Sequence, residues 1–415
     1  MPDVISADRL AVNGGTPVRD RLENPWPSWP ANTEKEWERE IEPALRKVYL
    51  ERTEGLPASR SARFGQAFAA YCGAGYGLMM PHGTDAISAS IAGALDLDGL
   101  REGGEIIIPN YTFIATASSA LSVRCSLALA DIDPVSFTLD PNAVQAAITD
   151  RTVGILPVHM GGHPADMDAL NAIADKHGLV VVEDAAQAHG AEHNGRKVGP
   201  LGDVGAYSFQ SSKNLTAGEG GCLVTDHAHI YERACAFRDV GRRPGGERWE
   251  YPRHGWNYRT SEYVACLLLA RLRNLQLQTE VRSRNAAYLT RELLRVGGVI
   301  PPAARNWVTQ HGYHLYMTRY DPGQFGGRSR DEFVRALIAE GIDCTPGYRR
   351  PLTDEGALKS VSEAYPDRVR RLPCPHVEFV CGHSVWFYQS MLLGAREDMD
   401  DIAEAVDKIK LAFAR

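Results

Sequence analysis

Short runs of continuously apolar residues, separated by helical stretches, recur through the first half of this chain and constrain its fold more than any other feature. A strand that is apolar along its whole length is buried on both faces, which is typical of a parallel sheet covered by helices. The stretch 167–177, between two of the runs, has helical periodicity. We therefore predict an α/β fold with a mostly parallel sheet sandwiched between helices. The predicted strands are Tyr76–Met80, Glu105–Pro109, Cys125–Ala130, Thr152–Val158, Leu179–Glu183 and Gly221–Thr225.

The chain is long enough to need more than one hydrophobic core, because its 415 residues exceed the size at which single cores stop growing. The segment 1–34 is rich in proline and contains Trp26 and Trp29, so we predict an extended N-terminal arm. Residues 35–260 form the predicted large α/β domain. Residues 261–415 open with a long amphipathic helical stretch and form the predicted smaller α+β domain.

Charge and cysteine usage exclude several classes of partner. The net charge of −7 comes from 52 acidic and 45 basic residues spread along the chain. Because no basic block could neutralise a row of phosphates, we expect no nucleic-acid partner. No apolar segment approaches the ~20 residues that span a bilayer, and no secretory leader pattern opens the chain. The eight cysteines are scattered, several within apolar runs. We therefore predict a cytoplasmic protein with reduced thiols and no membrane association.

One lysine and one aspartate stand out by their position in the predicted fold. Lys213 lies in a polar, glycine-rich segment that suits neither a buried strand nor a stable helix, where a lysine is most often a solvated charge. Asp184 follows a buried strand and lies at the carboxyl edge of the sheet, where ligands bind. Its carboxylate suits the protonated ring nitrogen of a pyridoxal cofactor. It is equally suited to cap a following helix, so the residues alone leave both interpretations open.

Two other segments offer groups for a phosphate and for an aromatic ring. Gly83 and Thr84 open a predicted helix, whose free N–H groups attract anions, although a simple capping turn is the alternative. Phe113 follows the isoleucine-rich strand and could stack on a pyridine ring, with buried packing as the alternative. The pairs Cys374-Pro-His376 and Cys381-Gly-His383 lack the spacing of zinc sites, so we expect no metal.

Four motifs, taken in order, resemble those of the DegT-type (DegT/DnrJ/StrS) aminotransferases of sugars and cyclitols. The resemblance extends from about Val12 to the C-terminus, and it implies fold type I and pyridoxal 5'-phosphate as cofactor. The motifs are Gly83-Thr84, Tyr111-Thr112-Phe113, the segment from Glu183 to Gly190 that includes Asp184, Gln187 and His189, and the segment from Ser208 to Gly221 that includes Lys213.

The resemblance implies catalytic roles for two residues and a contact with the cofactor ring for a third. Lys213 would form the Schiff base with the cofactor and then move a proton between substrate and cofactor. Asp184 would bind the pyridine nitrogen and keep the ring electron-poor, and Gln187 would lie near the ring hydroxyl. Since Lys213 is present, where some relatives have histidine and act as dehydratases, the resemblance implies transamination.

The resemblance also implies how the rest of the cofactor is held. Gly83, Thr84 and Ser208 would hold the phosphate, and Phe113 would stack on the ring. Asn257, in the motif Gly-Trp-Asn-Tyr-Arg-Thr-Ser-Glu, would reach the phosphate of a neighbouring subunit. We therefore expect a homodimer with shared active sites. Read without the family, Asn257 belongs to a polar turn before an amphipathic helix.

The substrates are implied by a softer resemblance. The segments 12–18 and 321–327 look more like the branch that aminates inososes in aminoglycoside-type pathways than like the nucleotide-sugar branch. This favours a keto-cyclitol as acceptor and glutamine as donor. A nucleotide-diphosphate keto-sugar, with glutamate as donor, remains the alternative, because both branches share every cofactor residue. A pyridoxal-binding protein without transaminase turnover is a third hypothesis.

Overall fold

A computed structural model describes residues 9–51, 59–98, 102–247, 249–303 and 305–414. The first eight residues of the predicted N-terminal arm therefore lie outside the described part. The α-helices within these ranges are α1 (Glu34–Glu36), α2 (Glu42–Glu51), α3 (Arg60–Cys72), α4 (Gly83–Ala94), α5 (Ile114–Ser122), α6 (Pro141–Ala147), α7 (Met167–His177), α8 (Ala228–Arg238), α9 (Glu262–Val296), α10 (Arg330–Ala339), α11 (Gly356–Ala364), α12 (Pro375–His383) and α13 (Arg396–Phe413).

The strands form one large sheet and two small ones. The strands of the described ranges are β1 (Tyr76–Met80), β2 (Glu105–Pro109), β3 (Ser126–Ala130), β4 (Thr152–Ile155), β5 (Val180–Asp184), β6 (Glu192–His193), β7 (Arg196–Lys197), β8 (Val204–Ser208), β9 (Gly221–Thr225), β10 (Val299–Ile300), β11 (Val308–Gln310), β12 (Leu315–Tyr320), β13 (Cys344–Thr345), β14 (Val369–Arg371) and β15 (Ser384–Tyr388).

The large sheet has the strand order β1-β9-β8-β5-β4-β2-β3-β14. Its strand pairs are parallel except those of β9, which runs antiparallel to both β1 and β8. Every residue of β2, β8 and β9 is buried, because helices cover both faces of the sheet. The prediction of an α/β fold with a mostly parallel sheet is confirmed.

The C-terminal part of the chain packs around a second, antiparallel sheet of order β10-β12-β15-β13. Its core takes in the apolar faces of α10 and α13 and the end of α9, which begins with the predicted amphipathic stretch and continues to Val296. Leu10 and Trp26 of the N-terminal arm pack against the same core. The boundaries at residues 34 and 260 stay predictions.

The topology brings the ends of several strands together. Because the chain runs parallel through β1, β2, β5 and β8, the segments that follow these strands meet at one edge of the sheet. These segments carry Gly83, Phe113 and Lys213, and Asp184 is the last residue of β5 at the same edge. None of the helices in the described part of the chain combines the length and the apolar character needed to cross a membrane.

Candidate active site

A cavity of about 490 Å³ opens at this edge of the large sheet. It contains every residue that the sequence analysis assigned to the cofactor within one subunit, brought together from segments up to 130 positions apart, from Gly83 to Lys213. Its lining consists of His82, Gly83, Thr84, Ile87, Thr112, Phe113, Ala115, Thr116, Asp184, Ala186, Gln187, Ser208, Gln210, Ser212, Lys213, Glu219, His314, Leu315 and Tyr348.

Lys213 lies on an irregular loop between β8 and β9, as its polar and glycine-rich sequence predicts. Its backbone N–H donates to the carbonyl of Gln210 over 2.9 Å, which closes a turn that directs the side chain into the cavity wall. Burial lowers the pKa of Lys213 to about 8, against the opposing attraction of the Asp184 carboxylate. With this pKa, about a tenth of the Lys213 amine is neutral at pH 7, and the neutral amine can act as a nucleophile or a base.

Asp184 is the last residue of β5, and its carboxylate is buried in the cavity floor. Its Oδ2 accepts a hydrogen bond from the Thr116 hydroxyl over 2.8 Å, and its Oδ1 accepts one from the Ala186 N–H over 3.1 Å. Burial raises the pKa of Asp184, while these hydrogen bonds and the charge of Lys213 act in the opposite direction. A turn and not a helix follows β5, so Asp184 does not cap a helix.

The start of α4 forms a second wall of the cavity. A Cβ atom at Gly83 would lie 2.6 Å from the Cβ atom of Ser208, so only glycine lets the helix approach the end of β8 this closely. The first N–H groups of α4 have no partner within the helix, and no side chain of the N-cap residue His82 accepts from them. Together with the hydroxyls of Thr84 and Ser208, they form a cradle suited to a phosphate.

The two aromatic residues after β2 have different environments. Tyr111 is buried, and its hydroxyl lies 3.0 Å from that of Ser384, so it serves in packing. Phe113 is 56% exposed and faces the cavity. Phe113, and not Tyr111, therefore offers a free aromatic face at the site.

Gln187 is a buried residue of the cavity wall, and hydrogen bonds of its side chain fix its position. Its Oε1 accepts a hydrogen bond from the Gly161 N–H over 2.8 Å, and it is hydrogen-bonded to Tyr348. Tyr348 packs edge-on against Tyr111 and Trp386, with ring centroids 5.3 and 5.0 Å apart. Tyr348 thus connects the cavity to the C-terminal part of the chain, and no motif in its local sequence indicates this position.

Two buried histidines lie behind Lys213. His314 lines the cavity, and its Nδ1 lies 3.3 Å from Oδ1 of Asn214, the residue after the lysine. His189 packs among aromatic rings, with its centroid 5.3 Å from that of Tyr207. Burial lowers the pKa of His189 to about 3 and that of His314 well below its usual range, so both rings are neutral at physiological pH. The sequence did not predict that either histidine lies near the lysine.

Asn257 lies outside this cavity. It is exposed and forms an isolated antiparallel bridge with Asp239. Trp256, 44% exposed, and Tyr263, 40% exposed, lie near it in the sequence. A role of Asn257 in the cavity of its own subunit has no support in this arrangement.

The residues of the cavity fit pyridoxal phosphate on one observation above all. Within the described ranges, the buried carboxylate of Asp184 forms no ion pair within 4.0 Å, and Lys213 acts on it only from a longer distance, although a buried charge without a close partner is costly. A protonated pyridine nitrogen would supply that cation, and the cradle at Gly83 would take the phosphate. No group of three or more His, Cys, Asp or Glu side chains within the same ranges could hold a metal ion.

Comparison with known proteins gives consistent matches over nearly the whole chain. The sequence model of the DegT/DnrJ/EryC1/StrS aminotransferase family matches residues 38–407. The L-glutamine:2-deoxy-scyllo-inosose aminotransferase of Streptoalloteichus tenebrarius is 38% identical, over 96% of this chain and 97% of the relative. The L-glutamine:scyllo-inosose aminotransferase of Streptomyces griseus is 35% identical over the same shares. The crystal structure of 3-amino-5-hydroxybenzoic acid synthase superposes with a TM-score of 0.81 at 29% identity, covering 92% of this chain and 98% of that one.

Proposed function

This chain belongs to the DegT/DnrJ/EryC1/StrS aminotransferase family, and we propose that it uses pyridoxal 5'-phosphate to transfer the amino group of glutamine to a keto-cyclitol of the inosose type. The substrate classes rest on the names of relatives that match 96% of this chain. The cofactor rests on the chain itself: Lys213 and the unpaired carboxylate of Asp184 share one cavity.

We assign the cofactor contacts to the residues that line the cavity. Asp184 would pair with the ring nitrogen, Phe113 would cover one ring face, and Gln187 would lie toward the ring hydroxyl. The cradle of Gly83, Thr84 and Ser208 described above would hold the phosphate. Pyridoxal phosphate, when bound, draws electrons from the amino-bearing carbon and so stabilises the negative charge left there on deprotonation.

Lys213 supplies the proton transfers of the reaction. Because burial brings the pKa of its amine to about 8, the neutral form is available near physiological pH, and it can take a proton from the substrate carbon and return one. Asp184 supports this step from the floor of the cavity, since its carboxylate stabilises positive charge there. Phe113 and Leu315 give the cavity apolar walls that limit the access of water.

The charges of the cavity favour an uncharged acceptor over a nucleotide diphosphate. Lys213 is the only lysine among the lining residues of the described chain, and no arginine lines the cavity there. A diphosphate is usually bound by arginine or lysine side chains in addition to those that hold the cofactor. The hydroxyl and amide groups present, such as those of Thr112 and Gln210, suit a polyhydroxy ring instead.

We propose that the active unit is a homodimer in which Asn257 serves the neighbouring cavity. Two observations support this proposal. Asn257 does not line the cavity of its own chain, and the aromatic side chains of Trp256 and Tyr263 near it in the sequence are exposed. Exposed aromatic residues are enriched at protein interfaces.

The experiment that tests the substrate assignment compares two ketones. The purified enzyme is incubated with scyllo-inosose or with a nucleotide-diphosphate keto-sugar, each with glutamine or glutamate, and products are identified by mass spectrometry. We expect an aminated cyclitol from glutamine, with the deaminated keto acid of the donor in equal amount. If only the nucleotide sugar is aminated, the acceptor is a nucleotide-diphosphate keto-sugar and not a keto-cyclitol. A cofactor spectrum that no amino acid changes would favour a binding protein without turnover. Lys213→Ala serves as the matched blank.

A further inference from the structure

Two tryptophans of the N-terminal arm, three positions apart, contact different parts of the chain. Trp26 contacts the C-terminal core, and Trp29 contacts the loop that carries Lys213. Nε1 of Trp26 donates to the carbonyl of Gly341 over 2.9 Å, and the guanidinium of Arg19 lies 3.9 Å from the ring centroid of this tryptophan. Arg19 is itself buried and paired with Asp398 and Asp401, both at 2.7 Å. The part of the arm around Trp26 is therefore anchored to the C-terminal part of the chain.

Trp29, like Trp26, donates from its indole to a backbone carbonyl and has a guanidinium near its ring, but its contacts lie beside the active site. Its Nε1 donates to the carbonyl of Ser211 over 3.1 Å, and the guanidinium of Arg282 lies 5.3 Å from its ring centroid. Arg282 is fully buried on α9, where its Nε and Nη2 donate to Oε1 of Gln389 over 2.9 and 2.5 Å. The indole of Trp29 therefore lies between the lysine loop, residues 210–217, and a buried cation.

Asn32 makes a second connection between the arm and the lysine loop. Arg271 of α9 donates from Nη2 to Oδ1 of Asn32 over 2.5 Å and from Nη1 to the carbonyl of Thr216 over 2.6 Å. The loop is thus joined to the arm near both of its ends, at Ser211 directly and at Thr216 through Arg271.

The lysine loop has little regular structure of its own to hold Lys213. Between β8 and β9 its internal order consists of turns, such as the one in which Oε1 of Gln210 accepts from the N–H of Ser212 over 2.9 Å. Nδ2 of Asn214 donates to the carbonyl of Gly312 over 2.7 Å. Contacts from outside the loop therefore fix its path.

We propose that Trp29 is a positioning residue, and that its indole holds the lysine loop so that Lys213 stays enclosed in the cavity. Trp29 does not line the cavity and acts through the backbone of Ser211, two residues before the lysine. The inference rests on the proposed function, since it assigns Trp29 a task in presenting the lysine that the proposal makes catalytic.

The electrostatic surroundings of Lys213 make its ionisation a sensitive report of that position. The titratable groups that face it are the carboxylate of Asp184 and the imidazoles of His189 and His314, and Arg282 lies behind the two imidazoles. Both imidazoles are neutral, and burial is the main cause of the low pKa of Lys213. A loop that moves outward admits water to the amine, so its pKa rises toward the usual value.

The experiment measures the reactivity of Lys213 in the cofactor-free, full-length protein. Competitive labelling with an amine reagent, followed by peptide mapping from pH 6 to 11, gives the midpoint for Lys213, and titration with pyridoxal phosphate gives the dissociation constant. Trp29→Phe keeps an aromatic ring beside Arg282 but removes the donor to Ser211. Trp26→Phe is the matched control, because it removes an equivalent indole donor over an arginine but leaves the contacts of the lysine loop in place.

We expect Trp29→Phe to raise the labelling midpoint of Lys213 by about half a pH unit or more and to weaken cofactor binding ~3- to 10-fold, the range for one lost hydrogen bond. Trp26→Phe should leave both values near those of the parent. Trp29→Ala, which also uncovers Arg282, should shift both further. If it fails to fold, Trp29→Phe decides the question alone.

Two results overturn the inference. One is a folded Trp29→Phe with the midpoint and affinity of the parent, and the other is a Trp26→Phe that shifts as far as Trp29→Phe, since the arm would then act through general stability. Either leaves the proposed function intact. A parent protein that binds the cofactor through another lysine instead removes the proposed function, and the role of Trp29 with it.

Discussion

The hydroxyl of Thr116 donates a 2.8 Å hydrogen bond to Oδ2 of Asp184, in the floor of the cavity that also contains Lys213. Thr116 belongs to α5 and Asp184 to β5, so the packing of this helix against the sheet sets the orientation of the carboxylate. The hydrogen bond lowers the pKa of a group that burial raises. It therefore helps to keep Asp184 charged in a place where a carboxylate has no paired cation.

Thr116→Val should lower turnover and cofactor affinity, because it removes a hydrogen bond to Asp184. Loss of the hydrogen bond raises the pKa of Asp184 further and frees its orientation, so we expect roughly a tenfold fall in turnover and a similar loss of cofactor affinity, the range for a bond to a charged group. Ser122→Ala is the control, since it removes a hydroxyl from the same helix that donates to the carbonyl of Ser119 and lies outside the cavity. Equal effects of the two variants would show that the carboxylate does not depend on Thr116.

Asp184→Asn separates the catalytic role of the carboxylate from its structural one. The Oδ1 atom of asparagine can still accept from the Ala186 N–H, and its Nδ2 can donate to the Thr116 hydroxyl, so the melting temperature of the cofactor-free protein should be unchanged or higher, because a buried charge has been removed. Single-turnover reaction with glutamine should slow by roughly two to three powers of ten, because the positive ring nitrogen loses its partner. A normal melt with a rate within a few-fold of the parent would point to another carboxylate.

The pKa of Lys213 predicts how cofactor attachment depends on pH. The neutral amine is the nucleophile, and with a pKa of about 8 its fraction grows as pH rises toward that value. The rate of appearance of the visible absorbance, measured on cofactor-free protein from pH 6 to 9.5, should rise about tenfold per unit below pH 8 and then level off. A rate that still rises tenfold per unit above pH 9 contradicts an enclosed, perturbed lysine.

A shared active site predicts complementation between subunits. Asn257→Ala and Lys213→Ala should each be impaired, and mixtures that exchange subunits should recover about a quarter of the parent activity, because half of the dimers are mixed and each has one intact site. A mixture of Lys213→Ala with Asp184→Asn should recover nothing, since these residues line the same cavity of one chain. Sedimentation should show a dimer or larger assembly. A fully active monomer would remove this part of the proposal.

Much of the large sheet could be predicted from the sequence because its strands carry an unmistakable pattern. The runs Tyr76–Met80 and Gly221–Thr225 are strands with the predicted bounds. The strand Val204–Ser208 was not predicted, because Gly205 and Ala206 make it only weakly apolar. The edge strand Val369–Arg371, with its two arginines, has no apolar pattern and comes from far along the chain.

The same limit applies to the cavity. Residues in motifs, such as Gly83 and Gln187, could be named from the sequence, and the structure brings them into one cavity. Thr116, His314 and Tyr348 could not, because nothing in their local sequence distinguishes them and only tertiary packing brings them to the same site. The task proposed for Trp29 has the same origin, since its contacts with Ser211 and Arg282 span more than 180 positions.

The most direct test of the account is to locate the covalent attachment of the cofactor. The full-length protein is incubated with pyridoxal 5'-phosphate, reduced with borohydride, digested and mapped by mass spectrometry, with Lys213→Ala treated in parallel. The account predicts one modified peptide, which contains Lys213, and none at this site in the variant, although the variant should still bind the cofactor without a covalent bond. A stoichiometric adduct on any other lysine, or the same adduct yield in Lys213→Ala, would contradict it.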